Sequence, residues 1–163
     1  MDGDLQQVFN HCLNHGVTLF DSGDSYGTGR LNGRSETLLG QFAQAYDGPN
    51  QDQLCLATKL AAYPWRLTSG SVVKAGVASA QRLARPIDLV QMHWSTANYA
   101  PWQEGPFLDG LMDLCTQGQA KAIGLSNFGP PTTKAGPSAI SGARHGHRHA
   151  TGTVFAAVDL PGQ

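Results

Sequence analysis

Four short apolar runs recur along this chain with a helical pattern between each successive pair, starting near positions 17, 54, 88 and 121 and so 37, 34 and 33 residues apart. The runs are nearly continuous in apolar residues and do not alternate with polar ones. That is the pattern of parallel strands buried on both faces and joined by crossover helices. Two architectures use such βα units: an open doubly wound sheet and a (β/α)8 barrel. A barrel typically takes about 250 residues and eight strands. This chain has 163 residues, and its first element is a helix with no strand before it.

The elements can be placed from periodicity. Leu5, Val8, Phe9, Cys12 and Leu13 follow the spacing of one helix face, closed by Asn14-His15-Gly16. Val17 to Phe20 is a short strand. Ser35 is predicted to cap a second helix with Leu38, Leu39, Phe42 and Tyr46 on its apolar side. Leu54 to Thr58 is the second strand, and Ser69 or Ser71 caps a helix carrying Val73, Val77, Ala80 and Ala84. Asp88 to Met92 follows as the third strand. Leu108, Leu111, Met112 and Cys115 mark a helix ending at Gly118, and Ala120 to Leu125 is the fourth strand.

Composition narrows the function classes. Charged residues are 14% of the chain, against ~25% in ordinary soluble domains, and the formal net charge is -1. A nucleic-acid or anionic-membrane partner held by bulk electrostatics is therefore not expected. No apolar run reaches the ~20 residues of a membrane span. Cys12, Cys55 and Cys115 are far apart and lack any C-x-x-C pairing, which reads as reduced core thiols in a reducing compartment. The acidic start Met-Asp-Gly-Asp carries neither a signal-peptide core nor a transit-peptide composition.

In βα architectures, functional groups gather where strands end. The first strand runs into Asp21, with Tyr26 in the loop beyond it. The second ends at Thr58-Lys59 and the third at Met92-His93-Trp94. Parallel strands share one C-terminal face, so these side chains are expected on the same side. An ammonium beside a phenol favours the phenolate, and a carboxylate can hold the lysine in place and charged. A neutral histidine nearby can fix a carbonyl oxygen. Together these residues describe a site that gives a proton to a developing alkoxide. No side chain delivers hydride, which implies a nicotinamide cofactor.

The segments Leu19-Phe20-Asp21-Ser22-Gly23-Asp24-Ser25-Tyr26-Gly27, Ala57-Thr58-Lys59, Gln91-Met92-His93-Trp94 and Gly124-Leu125-Ser126-Asn127-Phe128 closely resemble the aldo-keto reductase superfamily. The stretches from Tyr26 to Gly33, Ala61 to Gly70 and His93 to Tyr99 look most like its plant plastid pyridoxal-reductase branch. The resemblance covers roughly residues 3 to 130. It implies Tyr26 as general acid, Lys59 as the residue that tunes it, Asp21 as the carboxylate behind the lysine, and His93 as the carbonyl-orienting group. It further implies NADPH as cofactor, with Asp21, Ser126 and Asn127 at its nicotinamide end. Trp94 would line the substrate pocket or pack in the core. Asp24 is a rival to Asp21, but the family pattern favours Asp21.

The fold implied is α/β: part of a (β/α)8 barrel, about four parallel strands corresponding to strands 2 to 5. A partial reductase domain is expected over 1–129, and an atypical, disordered Pro/Gly/His-rich tail over 130–163. The function implied is reduction of a small-molecule carbonyl, an aldehyde such as pyridoxal, with no nucleic-acid or membrane partner. The alternative is a catalytically inactive, truncated isoform or fragment of such an enzyme. By resemblance the compartment is the chloroplast, although no transit peptide is evident; otherwise it is the cytoplasm.

Other signals weigh less. Gly27-x-Gly29-x-x-x-Gly33 superficially matches a dinucleotide fingerprint, but its last gap is one residue too long. The alternation His145-Gly146-His147-Arg148-His149 could bind a transition metal, though an arginine interrupts it. A barrel metal hydrolase would need several ligands at strand ends, and only His93 is placed for that.

Overall fold

A computed structural model describes residues 2–27, 32–94 and 100–126. Its elements are α1 (Asp2–Asn14), β1 (Leu19–Asp21), α2 (Arg34–Ala45), β2 (Cys55–Ala61), α3 (Ser69–Leu83), β3 (Ile87–His93), α4 (Glu104–Thr116) and β4 (Ala120–Ser126). Asn127 and the expected tail, 130–163, lie outside the described residues.

The four strands form one parallel sheet in the order β1-β2-β3-β4. A doubly wound sheet reverses its strand order at a switch point, whereas a barrel adds each strand beside the last. The unbroken order is that of a barrel segment.

Register decides which side chains share a face. Asp21 pairs with Ala57, Lys59 with Gln91, and His93 with both Ala61 and Ser126. Thr58 turns toward the helices, where its hydroxyl donates to Glu36 of α2. Lys59, one residue on, must therefore face the opposite side.

The core fills the space between helices and sheet. Leu56, Leu60, Val90 and Met92 of the strands meet Val72, Leu83, Phe107, Leu111 and Leu114 of the helices, all of them buried. At the other end Phe9 gathers Phe20, Phe42 and Tyr46, with ring centroids 4.4, 5.9 and 6.3 Å away. Gly40 of α2 lets that helix press on the end of α3, since a Cβ there would lie 2.6 Å from the Arg82 carbonyl oxygen.

Several local expectations need correction. The second helix is preceded by Gly33 at φ 78°, a left-handed conformation that suits glycine, and no side chain caps it. Ser35 instead accepts a hydrogen bond from the Ser22 hydroxyl, 2.8 Å. The third helix is capped by Thr68, one residue before Ser69 and three before Ser71, with Ser71 completing a reciprocal capping box. Its most buried face is Val72, Gly76, Ser79, Ala80 and Leu83, while Val73 and Val77 pack only partly. Small residues at 76 and 79 hid that face from a pattern based on large apolar side chains. On α4, Met112 points to solvent and Leu114 takes its place in the core. The outer face of α1 keeps Leu5 and Val8 exposed.

The three cysteines are free. Burial pushes the Cys55 and Cys115 thiols up, and Asp88 adds to the effect at Cys55. Both are thereby kept in the unreactive thiol form.

Candidate active site

The site is assembled on the face opposite the helices. β2 continues to Ala61, so Lys59 lies inside the strand and not at its end as the sequence suggested. Its side chain is nearly buried, and burying an ammonium demands a partner. The partner is Asp21, the last residue of β1, which receives a hydrogen-bonded ion pair from Lys59 Nζ. The same Nζ donates to the Ser22 carbonyl at 3.2 Å.

Beyond β1 the chain keeps close to β2. Ser22 N–H donates to the Ala57 carbonyl and Asp24 N–H to the Lys59 carbonyl, both at 2.9 Å. The turn that follows closes with Tyr26 N–H on the Gly23 carbonyl, 3.1 Å. Tyr26 is thus laid over the lysine, with Nζ 5.5 Å from its ring centroid. His93 approaches from β3, its ring centroid 6.0 Å from that of Tyr26 in an edge-on contact of 83°. Asp21, Tyr26, Lys59 and His93, drawn from two strand ends, a strand interior and a loop, form one cluster.

The rival carboxylate has a different occupation. Asp24 is buried, accepts from Ala61 N–H at 3.0 Å, and pairs with Arg66 at 2.6 Å. Arg66 also donates to the Ala61 carbonyl, and Gln103 donates to the Tyr63 and Arg66 carbonyls at 2.8 and 3.1 Å. These contacts fasten the loop after β2, leaving Asp21 as the carboxylate on the lysine.

Ser126 ends β4 beside His93 and is buried. Trp94 is 2% exposed and packs in the hydrophobic core cluster. Gln91, part of a family segment but without a role assigned from sequence, is fully buried and donates to Asp21 Oδ1 at 3.0 Å. The available signal was a polar residue two positions before His93, and so on the same face of the strand as His93.

Burial pushes the His93 pKa below the ordinary imidazole value of 6.5, and the Lys59 ammonium adds to this, while Asp24 and Asp21 pull partly back. The ring is therefore neutral at neutral pH. The unfolded chain, with the ordinary value, takes up this proton more readily than the folded chain does. The contribution to stability is unaffected above about pH 7 and is lost as pH falls below about 6.5 toward the folded value. Thermal melts from pH 7 to 5 should accordingly fall less steeply for His93→Asn than for the parent chain.

Among the described residues, no group of three or more His, Cys, Asp or Glu could hold a metal ion. No described helix is long and apolar enough to cross a membrane.

Residues 2–135 match the family model described as the Aldo/keto reductase family. The chain belongs to the aldo/keto reductase family. Within that family it is 52% identical over 133 residues to the chloroplastic pyridoxal reductase of Arabidopsis thaliana, covering 80% of this chain and 36% of that protein. It is 30% identical over 129 residues to an aldo-keto reductase of Mycolicibacterium smegmatis, covering 78% and 41%. Solved aldo-keto reductases share the fold. A thermostable one in complex with the inhibitor epalrestat superposes with TM-score 0.68 at 21% identity, over 84% of this chain and 46% of that one. Another, complexed with NADPH, gives 0.64 at 21% identity, over 82% and 41%. The chain thus spans well under half the length of the curated relatives it matches. Its sheet is a four-stranded part of an aldo/keto reductase barrel.

Proposed function

We propose that this aldo/keto reductase chain carries the catalytic residues of an NADPH-dependent carbonyl reductase that converts an aldehyde such as pyridoxal to its alcohol. The observation that carries the reading is the packing of Lys59, already paired with Asp21, against the Tyr26 ring, with His93 at the ring edge. The identity to the Arabidopsis pyridoxal reductase supports pyridoxal as substrate and the chloroplast as compartment.

In this reading the Tyr26 hydroxyl gives its proton to the carbonyl oxygen as negative charge develops there. The Lys59 ammonium stabilises the phenolate that remains, and Asp21 holds the ammonium in place. Neutral His93 hydrogen-bonds the carbonyl oxygen and directs it toward Tyr26. When bound, the reduced nicotinamide supplies the hydride to the carbonyl carbon.

The residues present fit the nicotinamide end of that cofactor. Ser126 lies beside His93, and the Asp21 side chain is 39% exposed. Asn127 completes the expected set by resemblance. The phosphate end finds no comparable set among the described residues, where each arginine already faces a carboxylate: Arg34 with Asp2, Arg66 with Asp24, Arg82 with Glu36 and Arg85 with Asp88. Titration of the full chain with NADPH should quench its tryptophan fluorescence and saturate. A soluble, folded chain that gives no quench and oxidises no NADPH with pyridoxal would falsify the proposal.

A second reading, a non-catalytic fragment of such an enzyme, is favoured by the edge at β1. Val17 and Leu19 are about half exposed there, and Leu5 and Val8 of α1 are exposed as well. Exposed apolar surface at a sheet edge invites association. That reading requires broad unfolding and poor solubility, and a single sharp urea transition in a monomer would remove it.

A further inference from the structure

We infer that Gln91 is the positioning residue that sets the plane of the Asp21 carboxylate and, through it, the place of the Lys59 ammonium; the inference rests on the reductase reading of this site. Asp21 closes a strand of only three residues, which is paired to β2 alone among the described strands. Its side chain is 39% exposed, so water competes for its oxygens. A carboxylate held by one contact can rotate and carry its lysine with it. Here the two oxygens are divided: Oδ2 takes Lys59 and Oδ1 takes the Gln91 amide at 3.0 Å. Two donors on two oxygens fix the plane of the group.

The sheet is built to let Gln91 do this. Its donor must pass diagonally from β3 across β2 to reach β1, and the β2 residue level with Asp21 is the small Ala57. On the other side its register partner is Gly124, where a Cβ would lie 2.9 Å from Gln91 Cγ. Any larger residue at 124 would push the side chain aside.

The amide also bears a cost that packing alone does not explain. Gln91 is fully buried, and its Oε1 finds no hydrogen-bond partner among the described residues. An unsatisfied buried carbonyl is unfavourable, and an apolar residue of the same length would avoid it. The donor to Asp21 is what the amide provides that a methionine would not.

The test uses the full chain, 15N-labelled, and its variant Gln91→Met. In the parent the Lys59 ammonium should give a protected 15Nζ resonance, assigned by its loss in Lys59→Arg. In Gln91→Met that resonance should vanish as its protons exchange with water at least about tenfold faster, with the melting temperature unchanged or higher because the unpaired carbonyl is gone. Aldehyde reduction should fall about tenfold in kcat while KM stays within about twofold. Gln91→Asn, one methylene too short to reach Asp21, should behave alike. A Lys59 resonance and kcat that match the parent's overturn the inference, as does a parent with no protected Lys59 ammonium. Failure of both variants to fold also overturns it, by showing Gln91 to be a packing residue. A parent that turns over no aldehyde removes the reductase reading alone, and the Lys59 resonance still decides the role of Gln91.

Discussion

Tyr26→Phe is expected to lower NADPH-dependent reduction of pyridoxal by about a thousandfold, close to 4 kcal/mol of transition-state stabilisation. The substitution removes one oxygen and keeps the ring, so its edge contact with His93 and its packing beside Gly23 remain. Fold and cofactor binding should therefore survive while turnover does not. Steady-state assays at saturating pyridoxal, with fluorescence titration of NADPH on the same sample, separate the two. Lys59→Met should lose a similar factor, because the phenolate left by proton transfer would then have no cation near it. Additive losses in the double variant would argue that the two groups act separately; a double variant no worse than either single one is the expected result.

The second large effect concerns stability. Glu36 on α2 is fully buried, accepts from the Thr58 hydroxyl of β2, and pairs with Arg82 Nε of α3 at 2.6 Å. Arg82 also donates to Ser79 at 3.0 Å. Three elements thus meet on one carboxylate. Glu36→Ala leaves a buried hydroxyl without its acceptor, a guanidinium without its counter-charge, and a cavity. Removing one partner of a buried pair costs about 3–5 kcal/mol, and the lower figure applies because the Arg82 side chain is 30% exposed. A loss of about 3 kcal/mol corresponds to a drop in melting temperature on the order of 10 °C for a chain of this size. Glu36→Gln, which keeps an acceptor for Thr58, should lose distinctly less. Urea titrations of the two variants give the comparison directly.

Both predictions depend on contacts between residues distant in the chain, and the sequence made these unequally visible. The four strands were legible because strands covered on both faces must be apolar throughout, and their spacing left room for one helix each. Asp21, Tyr26 and His93 were legible because strand ends and the loops after them can be counted from turn residues. Lys59 was found but placed at a strand end, since a lysine seldom sits inside a buried strand. There β2 runs on past it, because Asp21 and the Ser22 carbonyl satisfy its charge. Gln91 stood within a family segment but carried no assigned role: one amide among apolar residues adds no period that marks it. The buried face of α3 was misplaced by one position because glycine and serine form part of it.

By itself the sequence determined the order of the strands and helices, since apolar period and turn chemistry are local properties. With the family resemblance it also gave the group of residues able to move a proton. Only the tertiary structure decided that Asp21 and not Asp24 holds the lysine, because Arg66 and the Ala61 amide already claim Asp24. It alone showed Trp94 in the core and Gln91 on the carboxylate. These are matters of register and of competition between partners distant in the chain. No local pattern records them, because each depends on which strand lies beside which and which partner each charge meets.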